Sequence, residues 1–389
     1  MNKEKGTIVL RRLVKIIFIN GFLLSILLFL TEGVLQFYPV NDPYEQDKIS
    51  TRHYFNPVKL PNKKFSFIIE DSLPGFENYT KNPQLTSNNL GFRNSDNLWD
   101  PDKKEGEFRV FTIGGSTTEC AFLNDGDDWP SLLGDKLNTL DLNKTFRVIN
   151  AGQSGHNLMD NLHLIIQKLV HLKPDLFIVY AGVNDLFAPL SDRDIYKLDL
   201  KNAHKDKGVN LFFTDSQIGR RLYYLLKGFK PNAYHMTAST RQKKLASDFR
   251  KMPISNFPKG LDFQLARNNL KALIGICQAL GIKLIVATQA VSWDTNDRDL
   301  DEWQTAVYAG KRYAEGDLRA AMDSLNVEFE NICNDLNTPV VNVQSKMVPT
   351  SENFYDDMHF NLSGSINMSD LMFNYLTENP KLIGENLPE

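Results

Sequence analysis

Apolar runs and polar breaks divide the chain into three stretches. Ile16 to Thr31 carries no charge and consists mostly of Ile, Leu and Phe. Weaker apolar character continues past Glu32 to Phe37 and Tyr38. The spacing predicts one helix over 13–37, long enough to span a bilayer, with Lys15 snorkelling to one interface. Residues 38–85 are rich in Pro, Asn, Lys and Asp and show little periodicity, which predicts a linker and an irregular lead-in. From Phe108 onward, short β-rich runs alternate with helical patterns. Strands are expected at 108–113, 146–149, 175–180, 283–287 and 340–343. Helices are expected at 129–140, 158–172, 263–280, 314–336 and 362–376. The run Asp175-Leu-Phe-Ile-Val-Tyr180 is nearly continuous in apolar residues, as in strands buried on both faces. Five strands separated by helices predict an α/β domain over 86–380, with a central parallel sheet and helices on both faces.

One interval breaks that rhythm. Residues 186–260 contain no clear core strand, and an excursion of that length is usually functional or has structure of its own. Within it, Ile218 to Phe229 is a basic amphipathic segment. Its Arg220, Arg221 and Lys227 suit an anionic glycan or lipid headgroups. Phe187, Phe212, Phe213, Tyr223, Tyr224 and Phe229 suit a sugar face or an acyl chain. The alternative is that Ile218 to Phe229 is simply a helix packing its apolar face on the domain.

Charge sets the orientation of the first stretch and removes one class of partner. Lys3, Lys5, Arg11, Arg12 and Lys15 precede the apolar run against the single acid Glu4, while acids dominate just after it. The positive-inside rule then places 1–12 in the cytoplasm and the rest outside, in the periplasm or beyond the cell, as a single-pass membrane protein. A cleaved signal peptide is the alternative. The net charge over 389 residues is −3, with no massed basic block, so nucleic acid is not an expected partner. Cys120, Cys277 and Cys333 form neither a disulfide framework nor a metal-ligand pattern. They are expected to be buried thiols, and no metal or cofactor is implied.

The chemistry-bearing residues fall at strand ends, where open α/β sheets bind ligands. Gly114-Gly-Ser-Thr-Thr118 follows the first strand, with Ser116 at a helix start that favours a developing oxyanion. Asn150-Ala-Gly-Gln-Ser-Gly155 follows the second, and Gly182-Val-Asn-Asp185 the third. Asp356-Asp-Met-His359 stands near the C-terminus. A serine hydroxyl needs an adjacent base, and His359 can supply it. A carboxylate must hold that imidazole; Asp356 is within reach across a turn, and its neighbour Asp357 is the rival. The N–H groups of Ser116 and Gly155 and the Asn184 amide make a three-donor oxyanion hole. Asp185 is expected to be structural. His156 and Phe187 are candidate substrate contacts.

These four blocks, in this order, resemble those of the SGNH, or GDSL-like, hydrolase superfamily. The lead-in Asn88-Asn-Leu-Gly-Phe-Arg-Asn94 is similar to one found in some members. The resemblance implies a three-layer, flavodoxin-like α/β fold and a serine esterase that uses Ser116, His359 and Asp356, with Ser116, Gly155 and Asn184 at the oxyanion. GGST stands where members often have GDS, and the Asp of GDS is not the triad acid. The expected substrate is a carboxylic, acetyl-type ester on an acylated polysaccharide outside the membrane. The same triad would serve an O-acyltransferase or a lipase-like esterase. A non-catalytic binding protein on the same fold is the reading from another class.

Overall fold

The computed structural model describes residues 2–38, 59, 61–69, 72–93, 103–190, 216–226, 238–308 and 310–384. They fall into two compact units, one of 1–46 with 196–235 and one of 47–195 with 236–389. The larger unit is built on a five-stranded parallel sheet: β1 (Glu107–Gly114), β2 (Thr145–Asn150), β3 (Leu176–Tyr180), β4 (Lys283–Ala287) and β5 (Val340–Val341). The strand order is β2-β1-β3-β4-β5, the flavodoxin-like arrangement, whose crevice lies where the order reverses between β1 and β3. The register sets Gly114 against Tyr180, and Tyr180 against Ala287, so these strands end level with one another.

The sheet is buried on both faces because its strands alternate between two cores. Phe111, Ile113, Phe177 and Val179 join one apolar cluster. Their neighbours Phe108, Val110, Ile178 and Tyr180 join the other. Helices Leu158–Gln167, Gln264–Leu280 and Glu315–Asp335 cover the first face. Helices Trp129–Leu137 and Leu362–Glu378 cover the second. Three layers result, as the periodicity predicts. Each fully buried Leu, Ile, Val or Phe contributes roughly 1.5–3 kcal/mol to such a core.

Short polar side chains fix where the helices begin. Asp128 caps the helix at Trp129 by accepting from the Ser131 N–H. Asn157 and Asp160 form a reciprocal capping box on the helix at Leu158. Asn361 accepts from the Gly364 N–H. Each satisfies an N–H that has no partner inside its helix.

Several segments differ from the sequence reading: the helix expected over 129–140 ends at Leu137, and the strand expected over 340–343 covers only Val340–Val341. The helix expected over 158–172 ends at Gln167, and a separate 3₁₀ turn covers Leu169–Leu172 beyond Lys168. More consequentially, part of the lead-in is core. Lys64–Ser66 pairs antiparallel with Gln84–Thr86, and Phe67, Ile69, Leu73, Phe76 and Leu85 are buried in the second cluster. All three cysteines are buried.

The smaller unit contains the helix Asn2–Leu35, of which Arg11–Leu35 is long and apolar enough to cross a membrane, with mean hydropathy 2.5. The insertion contributes the helix Gln217–Leu226 to this unit. The Glu32 carboxylate accepts from the N–H groups of Gln217 (2.7 Å) and Ile218 (2.9 Å) and from the Ser216 hydroxyl (2.9 Å). An acid near the end of the apolar helix therefore caps the insertion helix, and Arg221 donates to the Tyr38 carbonyl at 2.6 Å. Gln217–Leu226 is helical and belongs with the apolar N-terminal helix, not with the hydrolase unit on which the alternative would pack it. Phe212, Phe213, Lys227 and Phe229 lie outside the described residues.

Candidate active site

Every residue named for the chemistry lies in the larger unit, at the C-terminal edge of its sheet. β1 ends at Gly114, Gly115 remains extended, and Ser116 opens the one-turn helix Ser116–Glu119. A Cβ on Gly115 would stand 2.6 Å from the Asn184 amide nitrogen and 3.1 Å from the His156 carbonyl. A side chain at this position would crowd the Asn184 amide, so the third block lies directly against the serine turn.

His359 arrives from the other end of the chain. Its Nε2 is 2.7 Å from Ser116 Oγ, and its Nδ1 is 2.8 Å from both Asp356 oxygens. Asp356 Oδ1 also accepts from the N–H groups of Met358 (3.1 Å) and His359 (3.0 Å), so acid and imidazole share one turn. The Ser292 hydroxyl fixes that turn by donating to the Asp356 carbonyl at 2.6 Å. Tyr355 stacks on the imidazole with ring centres 5.5 Å apart, and Phe122 stacks on Tyr355 at 5.2 Å. A ring whose Nδ1 faces a carboxylate holds its proton there, which leaves Nε2 as acceptor for the serine hydroxyl. Burial opposes a charged His359. The adjoining Asp356, and then Asp357 and Glu119, outweigh it and hold the imidazole above its ordinary value.

Asp357, the rival carboxylate, is engaged elsewhere. Its Oδ1 accepts from the Trp293 indole (2.7 Å) and the Ala306 N–H (3.1 Å). Its Oδ2 accepts from the Thr305 N–H (2.8 Å) and hydroxyl (2.9 Å). It ties the loop before the last helix to the segment after β4, a structural task.

The second and third blocks meet beside Ser116. His156 N–H donates to the Gln153 carbonyl at 3.1 Å and closes a tight turn. Gly155, at φ +82°, holds the turn's left-handed position and leaves its own N–H outside the closing bond. The Asn184 amide donates to the His156 carbonyl at 2.9 Å, which ties the two blocks together. Asp185 accepts from the Leu158 N–H at 3.0 Å and is pushed up to about 7 by burial and the nearby Asp160. It joins the third block to the helix that follows the second. The His156 side chain is buried, so what this residue presents beside Ser116 is its carbonyl. Phe187 is 47% exposed in the turn just past Asn184. Sequence reasoning passed over the buried pair Glu119 and Lys59 and the half-buried Ser154, which form a polar cluster next to these blocks.

A serine hydroxyl bonded to an imidazole that is itself held by a carboxylate, with N–H groups close by, is the equipment of an ester-bond hydrolase on a flavodoxin-like sheet. Residues 112–365 match the GDSL-like Lipase/Acylhydrolase family, and the chain belongs to it. Among solved structures, it is similar to the acetylxylan esterase Axe2 from Geobacillus stearothermophilus, at 14% identity over 72% of this chain and 95% of that one, with a TM-score of 0.40. It is likewise similar to a GDSL-like lipase from Bacteroides thetaiotaomicron, at 17% identity over 72% and 93% of the two chains, with a TM-score of 0.39. Comparison with curated protein sequences finds no match.

The two neighbouring carboxylates should separate by experiment. Asp357→Asn sets an amide N–H against groups that are themselves donors, and should cost about 1–3 kcal/mol of stability. Urea unfolding checks this. Unchanged stability with lost turnover would instead place Asp357 in the chemistry.

Proposed function

We propose that the protein is a serine esterase in which Ser116 is the nucleophile, His359 the general base and Asp356 the residue that orients it. The observation that carries the reading is the continuous bond from Ser116 Oγ to His359 Nε2, and from His359 Nδ1 to Asp356. As Ser116 Oγ attacks the ester carbonyl carbon, its proton passes to Nε2. The carbonyl oxygen gains negative charge and is received by the N–H groups of Ser116 and Gly155 and by the Asn184 amide. Collapse of that intermediate expels the alcohol, which takes the proton from Nε2. Water then attacks the acyl-serine with His359 again as base, and releases the carboxylic acid.

The finer reading is a small acyl ester, of the acetyl type, carried on a glycan outside the membrane. Its support is the resemblance of the lead-in and the openness of the site. Ser116 and His359 stay partly exposed and Gly155 is exposed, which suits an ester presented on a polymer. The exposed ring of Phe187 offers an apolar face just past Asn184. Placement outside the membrane rests on the basic flank before the apolar helix.

Three outcomes are expected. Ser116→Ala should lower turnover of p-nitrophenyl acetate on the order of 10⁵–10⁶-fold. It should also abolish labelling by a fluorophosphonate with circular dichroism unchanged, and retained labelling would sink the assignment. Only neutral His359 can accept the serine proton, so kcat/KM should fall about tenfold per pH unit on the acid side. Because the folded imidazole titrates above its ordinary 6.5, that limb should have its midpoint above 6.5 and move down in Asp356→Asn. A pH–rate profile with the same midpoint in both proteins would contradict this. Protease added to intact spheroplasts should remove the hydrolase unit, and full protection would reverse the orientation.

A further inference from the structure

The turn Gln153–His156 is held at three of its four residues. The Gln153 N–H donates to the Gly114 carbonyl at 3.0 Å, at the end of β1. The Ser154 hydroxyl donates to the Glu119 carboxylate. The His156 carbonyl accepts the Asn184 amide. Gly155, between them, is exposed. The bond from Ser154 reaches back to the helix that begins with Ser116, three residues before Glu119.

Glu119 is only 3% exposed, and a carboxylate so placed needs a partner. Lys59, 1% exposed, comes from the lead-in and pairs with it. The same ammonium reaches the Gln153 side-chain oxygen at 3.4 Å. Burial disfavours an ionised Glu119, but the Lys59 charge and hydrogen bond, the Ser154 hydroxyl and the Arg93 guanidinium overcome it and hold the group below its ordinary value. An ionised carboxylate accepts only, so the Ser154 hydroxyl must donate, and its direction is fixed. A second tie runs parallel: the Asn150 amide donates to the Thr118 carbonyl at 2.8 Å.

We propose that Lys59 and Glu119 act as a buried clamp that positions the Ser154–Gly155 peptide, and with it the Gly155 N–H, relative to the Ser116 hydroxyl. The catalytic part of this rests on the reading of Gly155 as an oxyanion donor. Glu119 and Lys59 are positioning residues: they reach the reacting atoms only through Ser154 and Gln153. The lead-in thereby contributes to transition-state stabilisation without touching substrate.

The test uses the full chain in detergent micelles, with p-nitrophenyl acetate as substrate and hydrogen exchange of the peptide spanning 152–157 as a second readout. Ser154→Ala and Glu119→Gln should each speed exchange in that peptide. Each should lower kcat by about 10–100-fold, the scale of a donor displaced rather than removed, with KM changed less than about twofold. Ser154→Thr keeps the hydroxyl and should recover most of the loss. Because Lys59→Met alone leaves a buried unpaired carboxylate, and Glu119→Gln alone a buried unpaired ammonium, the double variant Lys59→Met/Glu119→Gln provides the folded comparison and should show the same faster exchange and lowered kcat. Unchanged exchange in the single variants overturns the clamp and leaves the Gly155 assignment standing. Faster exchange with unchanged kcat overturns the Gly155 assignment and with it the clamp's catalytic role.

Discussion

A 2.7 Å hydrogen bond between Ser116 Oγ and His359 Nε2 joins residues 243 positions apart, and most of the architecture around it can be understood as what keeps that distance. On one side, β1 lies between β2 and β3 and delivers Ser116 at its end with no freedom along the strand. On the other, His359 sits on an irregular loop, which by itself would not hold a side chain to a few tenths of an ångström. Aromatic packing supplies the missing stiffness. Tyr355 lies flat on the imidazole, Phe122 on Tyr355, and Phe360 on Tyr180 at the end of β3. The helix Leu362–Glu378 then carries the loop's far end into the second core, where Met368, Met372 and Leu376 are fully buried.

The sheet and the four blocks were legible in the sequence because their signals are local. A run such as Leu176–Tyr180 is apolar throughout, and a turn such as Gly114-Gly115 announces the strand's end whatever lies elsewhere. Choosing between Asp356 and Asp357 was harder, since adjacent carboxylates have equal reach by spacing. The donors that engage Asp357, on Trp293, Thr305 and Ala306, are more than fifty residues away in sequence. The same holds for Lys59 and Glu119, whose pairing joins a polar segment without periodicity to the serine helix. The lead-in was read as irregular, and much of it is, yet Phe67, Ile69, Leu73 and Phe76 are buried in the core without belonging to any described helix or strand. A pattern search for such elements passes over core residues that lie outside them.

The insertion separates into parts with different allegiances. Phe187 and its turn stay with the sheet, immediately past Asn184. The helix Gln217–Leu226 belongs instead with the apolar N-terminal helix, its first N–H groups taken by Glu32. An acid that seemed only to mark the end of an apolar run therefore has a specific intrachain ligand. Arg221 of that helix donates to the Tyr38 carbonyl just beyond the apolar run.

Asp356 and His359 share one turn, locked by two backbone N–H bonds to the same carboxylate oxygen. The pair therefore moves as a single rigid piece. A shift of the loop changes how far the imidazole stands from Ser116, but not which of its nitrogens carries the proton nor how the ring faces its carboxylate. The rest of the fold therefore has one quantity left to set, the distance from the imidazole to Ser116.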